Sequence, residues 1–177
     1  LCWPGLATAL VALNYAFIGA EGFQKHAGRH SLASTALLLP YTLAARLNAW
    51  LWTRRHPQPD EITDGVWLGR LPDAATLRAG GFHGLVDLTA ELPAPTGTWA
   101  HAGLPWLDLI APTASQLDAA ARHIARLQPG GPVLVACALG YSRSASAVAA
   151  WLLATGRAAS VDAALAILQQ ARPRVVL

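Results

Sequence analysis

Cys137 and Arg143 have side chains and a spacing that fit phosphate chemistry. A cysteine thiolate is a strong nucleophile, and an arginine guanidinium holds two oxygens of one phosphate in its planar fork. The residues between them follow an apolar run, Val133–Val135, and precede an alanine-rich stretch that predicts a helix. A loop this short turns its backbone N–H groups inward, and the helix dipole adds positive potential. We therefore predict an anion site that keeps the Cys137 thiol ionised and binds phosphate through Ala138, Leu139, Gly140, Tyr141, Ser142 and Arg143.

The same segment has simpler interpretations, and each fits less well. A lone cysteine at the end of an apolar strand is usually a small buried hydrophobic residue. Here Gly140, Arg143 and Ser144 accompany it, and together they favour catalysis. Gly140-Tyr-Ser142 also begins the G-x-S-x-G turn of serine hydrolases, but Ser144 stands where the second glycine is needed. The glycine spacing and the lysine of a Walker motif are missing.

This segment also resembles a known signature. Cys137, five further residues, Arg143 and Ser144 match the C-x-x-x-x-x-R-[ST] pattern of the protein tyrosine phosphatase superfamily. Residues 65–72, residues 85–91 and the segment around Asp108 follow in the order found in dual-specificity phosphatases. The resemblance covers roughly residues 61–176, and within the family the chain looks most like the compact bacterial members and the mitochondrial phosphatidylglycerophosphate phosphatase.

The resemblance implies a two-step hydrolysis of phosphate monoesters without a metal or other cofactor. Cys137 would form a phosphocysteine while Asp108 protonates the leaving oxygen, and Asp108 would then activate the water that releases phosphate. Ser144 would donate a hydrogen bond to the sulfur as it leaves. Asp108 also fits by position, because it ends an apolar run just ahead of a predicted helix. The implied substrates are phosphotyrosine, phosphoserine and phosphothreonine.

Other polar residues are assigned structural or solvent-exposed roles. Asp118 falls on the polar face of a predicted helix, so it is expected to be solvated. Asp87 interrupts an apolar strand, and it is expected to make structural hydrogen bonds or, with Glu91, to line the wall of the pocket. The six histidines are scattered without partners at ligand spacing, so no metal site is predicted.

Position 136 departs from the family pattern. Family members usually carry histidine immediately before the nucleophile, where it orders the loop, but this chain has Ala136. Two consequences stay open at this point. One is a phosphatase of reduced activity, and the other is a catalytically silent phosphate-binding membrane adaptor.

The second part of the chain alternates between strand and helix patterns. This alternation predicts an α/β fold, a mainly parallel central sheet flanked by helices, in one domain over residues 61–177. Thr113 to Gln116 has the pattern of a capping box, and Ser160 marks the start of the last helix. Strands are predicted near Val66–Leu68, Leu85–Leu88, Trp106–Ile110 and Val133–Ala136, and helices near Asp73–Ala79, Ser115–Leu127, Ser144–Ala154 and Val161–Gln170.

The first part of the chain is apolar. Residues 1–20 carry no charge, and twenty helical residues at 1.5 Å each cross a hydrocarbon core of about 30 Å. They predict a transmembrane helix, with a buried core helix as the alternative. Residues 31–53 are interrupted by Pro40, Arg46 and Asn48 and predict a second helix, either membrane-spanning or, as its tryptophans favour, interfacial. Residues 54–60 predict a linker. Because the chain begins with leucine and has no methionine, we expect its native start, and further membrane segments, to precede it.

Positive charge is concentrated before residue 61. Five of the 13 lysines and arginines lie there against two acidic residues, giving +3, and the remaining eight basic residues balance eight acidic ones. This distribution suits anionic lipid headgroups and a phosphatase domain on the cytoplasmic side, and it argues against nucleic acid. Cys2 and Cys137 predict no disulfide within the domain, as in a reducing compartment. The expected partners are the membrane and either a phosphorylated protein or a phospholipid such as phosphatidylglycerophosphate.

Overall fold

A computed structural model describes residues 2–177 of the chain, so Leu1 of the predicted transmembrane segment lies outside the described residues. In chain order the elements are α1 (Cys2–Leu13), a π-helical turn (Asn14–Ile18), a 3₁₀ turn (Gly19–Phe23), β1 (Lys25–His26), β2 (Arg29–His30), α2 (Leu32–Thr53), β3 (Asp60–Thr63), β4 (Val66–Arg70), α3 (Ala74–Ala79), β5 (Gly84–Thr89), β6 (Ala100–Trp106), α4 (Ala114–Leu127), a 3₁₀ turn (Gln128–Gly130), β7 (Val133–Cys137), α5 (Arg143–Ala154) and α6 (Val161–Ala171).

Five strands form one sheet in the order β3-β4-β7-β5-β6. Strands β4, β7, β5 and β6 are parallel, and β3 pairs antiparallel with β4 at one edge. Strand β7 lies in the middle and all of its residues are buried, as expected for an apolar run covered on both faces. This architecture confirms the predicted mainly parallel sheet flanked by helices.

Side-chain caps fix where the helices begin. Thr113 caps α4, and its side chain and that of Gln116 form the reciprocal capping box that the sequence predicts. Ser160 caps α6 by accepting a hydrogen bond from the Ala163 amide at 3.1 Å. Asp73 does the same for α3 through the Thr76 amide at 2.8 Å. These caps satisfy N–H groups that have no partner inside the helix.

The strand predicted near Trp106–Ile110 is placed differently in the structure. Strand β6 ends at Trp106, where that prediction begins. Leu109 has a φ of +59°, a left-handed conformation that cannot continue a strand, and it is 94% exposed. Residues 107–110 therefore form a loop in spite of their apolar character, and this loop carries Asp108.

Helices α1 and α2 pack against each other and against the sheet domain. Val11, Phe23 and Leu38 form a buried cluster with Ala90, which follows strand β5. The Ala94 amide donates to the Gly28 carbonyl in the β1–β2 hairpin at 2.8 Å, ahead of α2. Near the other end of α2, Arg70 Nη1 donates to Thr53 Oγ1 at 3.1 Å. Helix α2 thus lies along the domain, with contacts near both of its ends.

The helical run Cys2–Phe23 has 22 residues and is apolar enough to cross a membrane by length and composition. Within residues 2–177 no other helix meets both conditions. A core helix or a signal sequence can have the same properties.

Candidate active site

The loop after strand β7 lies at the carboxyl end of the central strand, between a strand and a helix as the sequence predicts. Strand β7 ends at Cys137, and α5 begins at Arg143. Cys137 is in register with Arg70 on the neighbouring parallel strand β4, and its carbonyl accepts a hydrogen bond from the Leu71 amide at 2.7 Å. The start of the loop is therefore fixed by the sheet itself.

Cys137 Sγ lies among hydrogen-bond donors. The Gly140 amide donates to the sulfur at 3.2 Å, and Ser144 Oγ lies 3.3 Å from it. Cys137 is 3% exposed and Ser144 is fully buried. A backbone N–H and a hydroxyl next to one sulfur can donate hydrogen bonds to it when it carries negative charge.

Gly140 makes the tight curvature of this loop possible. Its φ of +73° is left-handed, and a side chain at this position would collide with the backbone of Gly69 and Arg70 on strand β4. Glycine is required here both by backbone conformation and by the close approach of two chain segments.

Arg143 is held by a carboxylate from another part of the chain. Its Nη1 and Nη2 donate to Glu91 Oε2 and Oε1 at 3.0 and 2.6 Å, and Nη1 also donates to the Trp106 carbonyl at 2.9 Å. Burial by itself lowers the pKa of Arg143, but the hydrogen bonds and charge of Glu91, with the charges of Cys137 and Asp108, raise it above its ordinary value. Its Nε is buried and has no hydrogen-bond partner within residues 2–177, which leaves one donor for a ligand.

Asp108 reaches the same place from the loop after β6. Its Oδ1 lies 3.1 Å from Arg143 Nη2, while its side chain stays 41% exposed. The structure thus brings together Cys137, Arg143, Ser144 and Asp108, four residues that the sequence analysis selects from two distant segments. A carboxyl group between the guanidinium and solvent can exchange protons with a bound substrate and with water.

The outer side of the loop rests on Arg172, which follows α6. Arg172 Nε donates to the Gly140 carbonyl at 2.8 Å, and its Nη1 donates to Asp60 Oδ2 at 2.7 Å. Its guanidinium also stacks 5.0 Å from the centre of the Tyr141 ring. Arg172 therefore ties the Gly140 carbonyl of the loop to Asp60 of strand β3.

Sequence reasoning does not find Glu91 as the partner of Arg143, nor Arg172 as the support of the loop. Glu91 is noticed only as a residue of the pocket wall. Its acidic side chain at the end of a buried strand is the one signal that points to a buried basic partner. For Arg172 the sequence offers no signal, since it lies in an ordinary Arg-Pro-Arg terminus.

Asp87 makes the structural hydrogen bonds expected of it and has a further partner that the sequence does not suggest. Its Oδ1 accepts from the Thr89 amide at 2.9 Å, and its Oδ2 accepts from Lys25 Nζ at 2.6 Å. Lys25 Nζ also donates to the Thr89 carbonyl at 2.6 Å. Burial raises the pKa of Asp87, but His101, Lys25 and the Thr89 amide outweigh it and lower the pKa below its ordinary value. Asp118 is exposed and pairs with Arg122, as expected for a solvated face.

Ala136 is fully buried in an apolar cluster on one side of the sheet. Its neighbours in this cluster include Leu77, Leu85 and Trp99. The position that carries histidine in relatives is here part of a hydrophobic core. No group of three or more histidine, cysteine, aspartate or glutamate residues within residues 2–177 is arranged to hold a metal ion.

A model of the dual specificity phosphatase catalytic domain matches residues 66–177, more than half of the chain. The chain belongs to the dual specificity phosphatase family. The family and its solved members identify it as a phosphatase of the protein tyrosine and dual-specificity type. No curated protein sequence matches it.

Solved structures of this type share the fold. A variant of human DUSP28 has a TM-score of 0.61 at 25% identity, and the match covers 68% of this chain and 86% of that one. Tk-PTP in its active form has a TM-score of 0.57 at 30% identity, covering 68% and 88%. PTPMT1 in complex with PI(5)P has a TM-score of 0.57 at 20% identity, covering 66% and 84%.

Proposed function

We propose that this chain is a membrane-associated phosphatase that hydrolyses phosphate monoesters through a phosphocysteine on Cys137. One observation carries the proposal. The Gly140 amide donates to Cys137 Sγ, and Ser144 Oγ lies 3.3 Å from the sulfur. Arg143 forms ion pairs with Glu91 and with Asp108. A nucleophile, a phosphate-binding cation and a proton donor thus share one small site.

In the first step the Cys137 sulfur attacks phosphorus, and the bond between phosphorus and the ester oxygen breaks. Asp108 in its protonated form gives that oxygen its proton, so the leaving group departs as a neutral alcohol or phenol. The loop amides and Arg143 Nε bind the three non-bridging oxygens and stabilise their negative charge while the phosphoryl group is transferred. A metal ion has no part in this step.

In the second step water attacks the phosphocysteine. Asp108, now a carboxylate, removes a proton from the water as the new P–O bond forms and the S–P bond breaks. The electron pair returns to sulfur, where Ser144 and the Gly140 amide stabilise the thiolate. The products are inorganic phosphate and the enzyme in its starting state.

The presence of a general acid beside the phosphate-binding groups favours an enzyme over a catalytically silent adaptor. An adaptor needs the loop amides and Arg143 but has no use for Asp108 at 3.1 Å from the guanidinium. The apolar packing of Ala136 also supports this view, because the loop is ordered from outside by Arg172 instead of by a histidine at position 136.

Membrane association is supported by the apolar residues that α1 and α2 expose. The run Cys2–Phe23 has the length and composition of a membrane span, and several of its exposed side chains are large and apolar. Together α1, α2 and the turn between them expose Trp3, Leu6, Leu13, Phe17, Ile18, Leu37, Leu47, Leu51 and Trp52. With net positive charge in the same part of the chain, we place the phosphatase domain on the cytoplasmic side.

Two substrate classes fit a monoester phosphatase beside a bilayer. Phosphorylated proteins carrying phosphotyrosine, phosphoserine or phosphothreonine are those implied by the family. A phospholipid monoester is the second candidate, supported by a protein of the same fold, PTPMT1, whose structure contains PI(5)P.

The catalytic proposal is tested by hydrolysis of a small aryl phosphate in the presence of a metal chelator. Cys137→Ser is expected to abolish turnover, and Asp108→Asn is expected to reduce kcat about 10²-fold to 10⁴-fold, the range for general acid catalysis. Cys2→Ser and Asp118→Asn are matched controls at exposed positions and should keep wild-type rates. Undiminished turnover by Cys137→Ser would refute the assignment of Cys137 as the nucleophile.

Membrane association is tested on the full chain in cell membranes. The protein is expected to stay in the pellet after extraction with alkaline carbonate, which releases peripheral proteins. Proteolysis of right-side-out vesicles should leave the phosphatase domain intact, and proteolysis of inverted vesicles should digest it. Release by carbonate would refute the membrane-spanning anchor. The opposite protease pattern would refute the cytoplasmic orientation.

A further inference from the structure

A large groove runs between helix α2 and the sheet domain and ends beside the phosphate-binding loop. Its volume is about 1010 Å³, at the upper end of the range of ligand pockets. On the domain side it is bounded by the segment after β4, by the segment after β5, and by Ala138, the first residue of the loop. A molecule in this groove would have one end next to Cys137.

The wall formed by α2 presents one face of the helix. Its lining residues recur at spacings of three and four, as positions on one side of a helix do. Leu39, Leu43 and Trp50 give this wall its apolar character and are 37%, 55% and 52% exposed. The opposite wall is also largely apolar, with Leu71, Pro72, Leu92, Pro93 and Pro95.

Three arginines, Arg29, Arg46 and Arg70, interrupt these apolar walls. None of them pairs with a carboxylate within residues 2–177. Asp73 is the one carboxylate among the lining residues, and it is engaged as the cap of α3. The groove therefore combines unopposed positive charge with hydrocarbon surface.

Arg70 adds an observation that points to an anionic ligand. Its Nη1 donates to Thr53, but its Nε is buried and has no hydrogen-bond partner within residues 2–177. Buried guanidinium N–H groups are normally satisfied, so this donor calls for an acceptor. Arg70 is in register with Cys137, which places its backbone directly beside the start of the loop.

We propose that this groove binds the lipid part of a phospholipid that ends in a phosphate monoester. The inference rests on the proposed phosphatase activity and names its substrate. The terminal phosphate occupies the loop of residues 138–143, and Arg70 and Arg46 bind the internal phosphodiester. An acyl chain lies along the leucines and Trp50 of α2. This amphiphile matches the groove in both charge and apolar surface, whereas a phosphopeptide would leave the apolar face of α2 in water.

The location of α2 supports a lipid as the occupant. Helix α2 belongs to the apolar first part of the chain, yet it has contacts with the domain near both ends. A lipid can therefore move from the bilayer along α2 toward the loop without its acyl chains crossing water. The groove is formed by α2 together with residues of the phosphatase domain, so a domain lacking α2 would lose one complete wall.

The test compares phosphatidylglycerophosphate in detergent micelles with a small aryl phosphate and a phosphotyrosine peptide. The measured quantity is the ratio of kcat/KM for lipid to kcat/KM for aryl phosphate. We expect Arg46→Gln, and separately the double variant Leu39→Gln/Leu43→Gln, to lower this ratio about tenfold or more, as the loss of a charge-assisted bond or of buried hydrocarbon implies. All three residues are partly exposed, so these variants should fold.

Matched controls lie on the same part of the chain but outside the groove. Leu37→Gln changes an exposed leucine of α2 that is not three or four residues from any lining residue, and Arg55→Gln removes a charge beyond the end of the helix. Both should leave the ratio unchanged. Micelles keep the lipid soluble, so bilayer insertion does not affect the comparison. A ratio unaffected by the groove variants, or a peptide preferred over lipid, would overturn the lipid assignment while leaving the phosphatase assignment intact.

A second readout does not depend on turnover. Phosphatidylglycerophosphate with brominated acyl chains is added to the Cys137→Ser protein, and bromine quenches only tryptophan that it contacts. A brominated phospholipid without a terminal phosphate measures the quenching of tryptophans that contact lipid outside the groove, such as the exposed Trp52. The quenching by phosphatidylglycerophosphate in excess of this reference should be smaller in a Trp50→Phe variant and nearly unchanged in a Trp52→Phe variant, because Trp50 lines the groove and Trp52 does not. Equal excess quenching in all three proteins would refute lipid binding in the groove even if the enzyme were inactive.

Discussion

The ion pair between Glu91 and Arg143 offers the sharpest test of how this site holds its substrate. Glu91→Gln keeps the shape of the side chain but removes its charge, and one of the two oxygens facing Arg143 becomes an amide nitrogen. One of the contacts at 2.6 and 3.0 Å is then replaced by two N–H groups facing each other. Both partners are at most 4% exposed, so solvent screens little of this change.

The magnitude follows from the contact that is lost. A hydrogen bond to a charged group contributes about 1.5–3 kcal/mol. If the loss appears in transition-state binding, kcat/KM for an aryl phosphate should fall roughly tenfold to 150-fold, at about 1.36 kcal/mol for each factor of ten. Arg143 also contacts Asp108, so a displaced guanidinium should lower kcat as well as raise KM.

The assay is steady-state hydrolysis of an aryl phosphate together with inhibition by inorganic phosphate. The inhibition constant of phosphate should rise by a similar factor, because the same guanidinium binds it. Glu61→Gln is the matched control, since Glu61 is an exposed carboxylate whose contact is with the Gly65 amide, away from the site. If Glu91→Gln retained kcat/KM within twofold of wild type, the argument that Glu91 positions Arg143 would fail.

Three further outcomes follow from other contacts. Gly140→Ala should lower kcat at least tenfold, because the left-handed conformation costs about 1–2 kcal/mol and the new side chain collides with β4. Gly156→Ala is the control, since Gly156 has nearly the same φ but lies in open space, and this variant should retain full activity. Ala136→His should lower the free energy of unfolding by about 1–3 kcal/mol through overpacking, and a Tm unchanged with a gain in activity would contradict this. Lys25→Met should destabilise the protein by about 3–5 kcal/mol at pH 7, where Asp87 is left as an unpaired buried carboxylate. In wild type the low pKa of Asp87 stabilises the fold above about pH 4, and this contribution is lost as the pH falls further. Without Lys25, burial raises the pKa of the Asp87 carboxyl, so in Lys25→Met this carboxyl takes up a proton as the pH falls from 7 to 4. The difference in the free energy of unfolding between Lys25→Met and wild type should therefore shrink over this range in urea unfolding, and a constant difference would refute the pairing.

The part of the site that depends on local sequence could be predicted. Cys137, Gly140, Arg143 and Ser144 lie within eight residues, and the loop between a strand and a helix fixes their relation. Asp108 is more distant, yet it is recognisable because its segment precedes a helix in the order that relatives show. Local spacing and element order are properties of the sequence, so both predictions needed no knowledge of packing.

Contacts that join distant segments could not be predicted in the same way. Glu91 is 52 positions from Arg143, and Lys25 is 62 positions from Asp87. The first pair forms because the parallel strands β5 and β7 place their carboxyl ends at one edge of the sheet, and the second forms because the β1–β2 hairpin lies against β5. In the sequence many carboxylates compete for each basic residue. The strand predicted near Trp106–Ile110 was wrong because an apolar run in the sequence does not show that Leu109 has a left-handed backbone.

The contacts of Lys25 link the apolar first part of the chain to catalysis. Lys25 belongs to the short hairpin between α1 and α2, and its ammonium group binds Asp87 and the Thr89 carbonyl at the end of β5. Two residues beyond Thr89, Glu91 holds Arg143. The turn that positions the phosphate-binding arginine is thus fixed from one side by the sheet and from the other by the hairpin. Removing or displacing the two helices would free this turn, so the helices contribute to the geometry of the candidate active site.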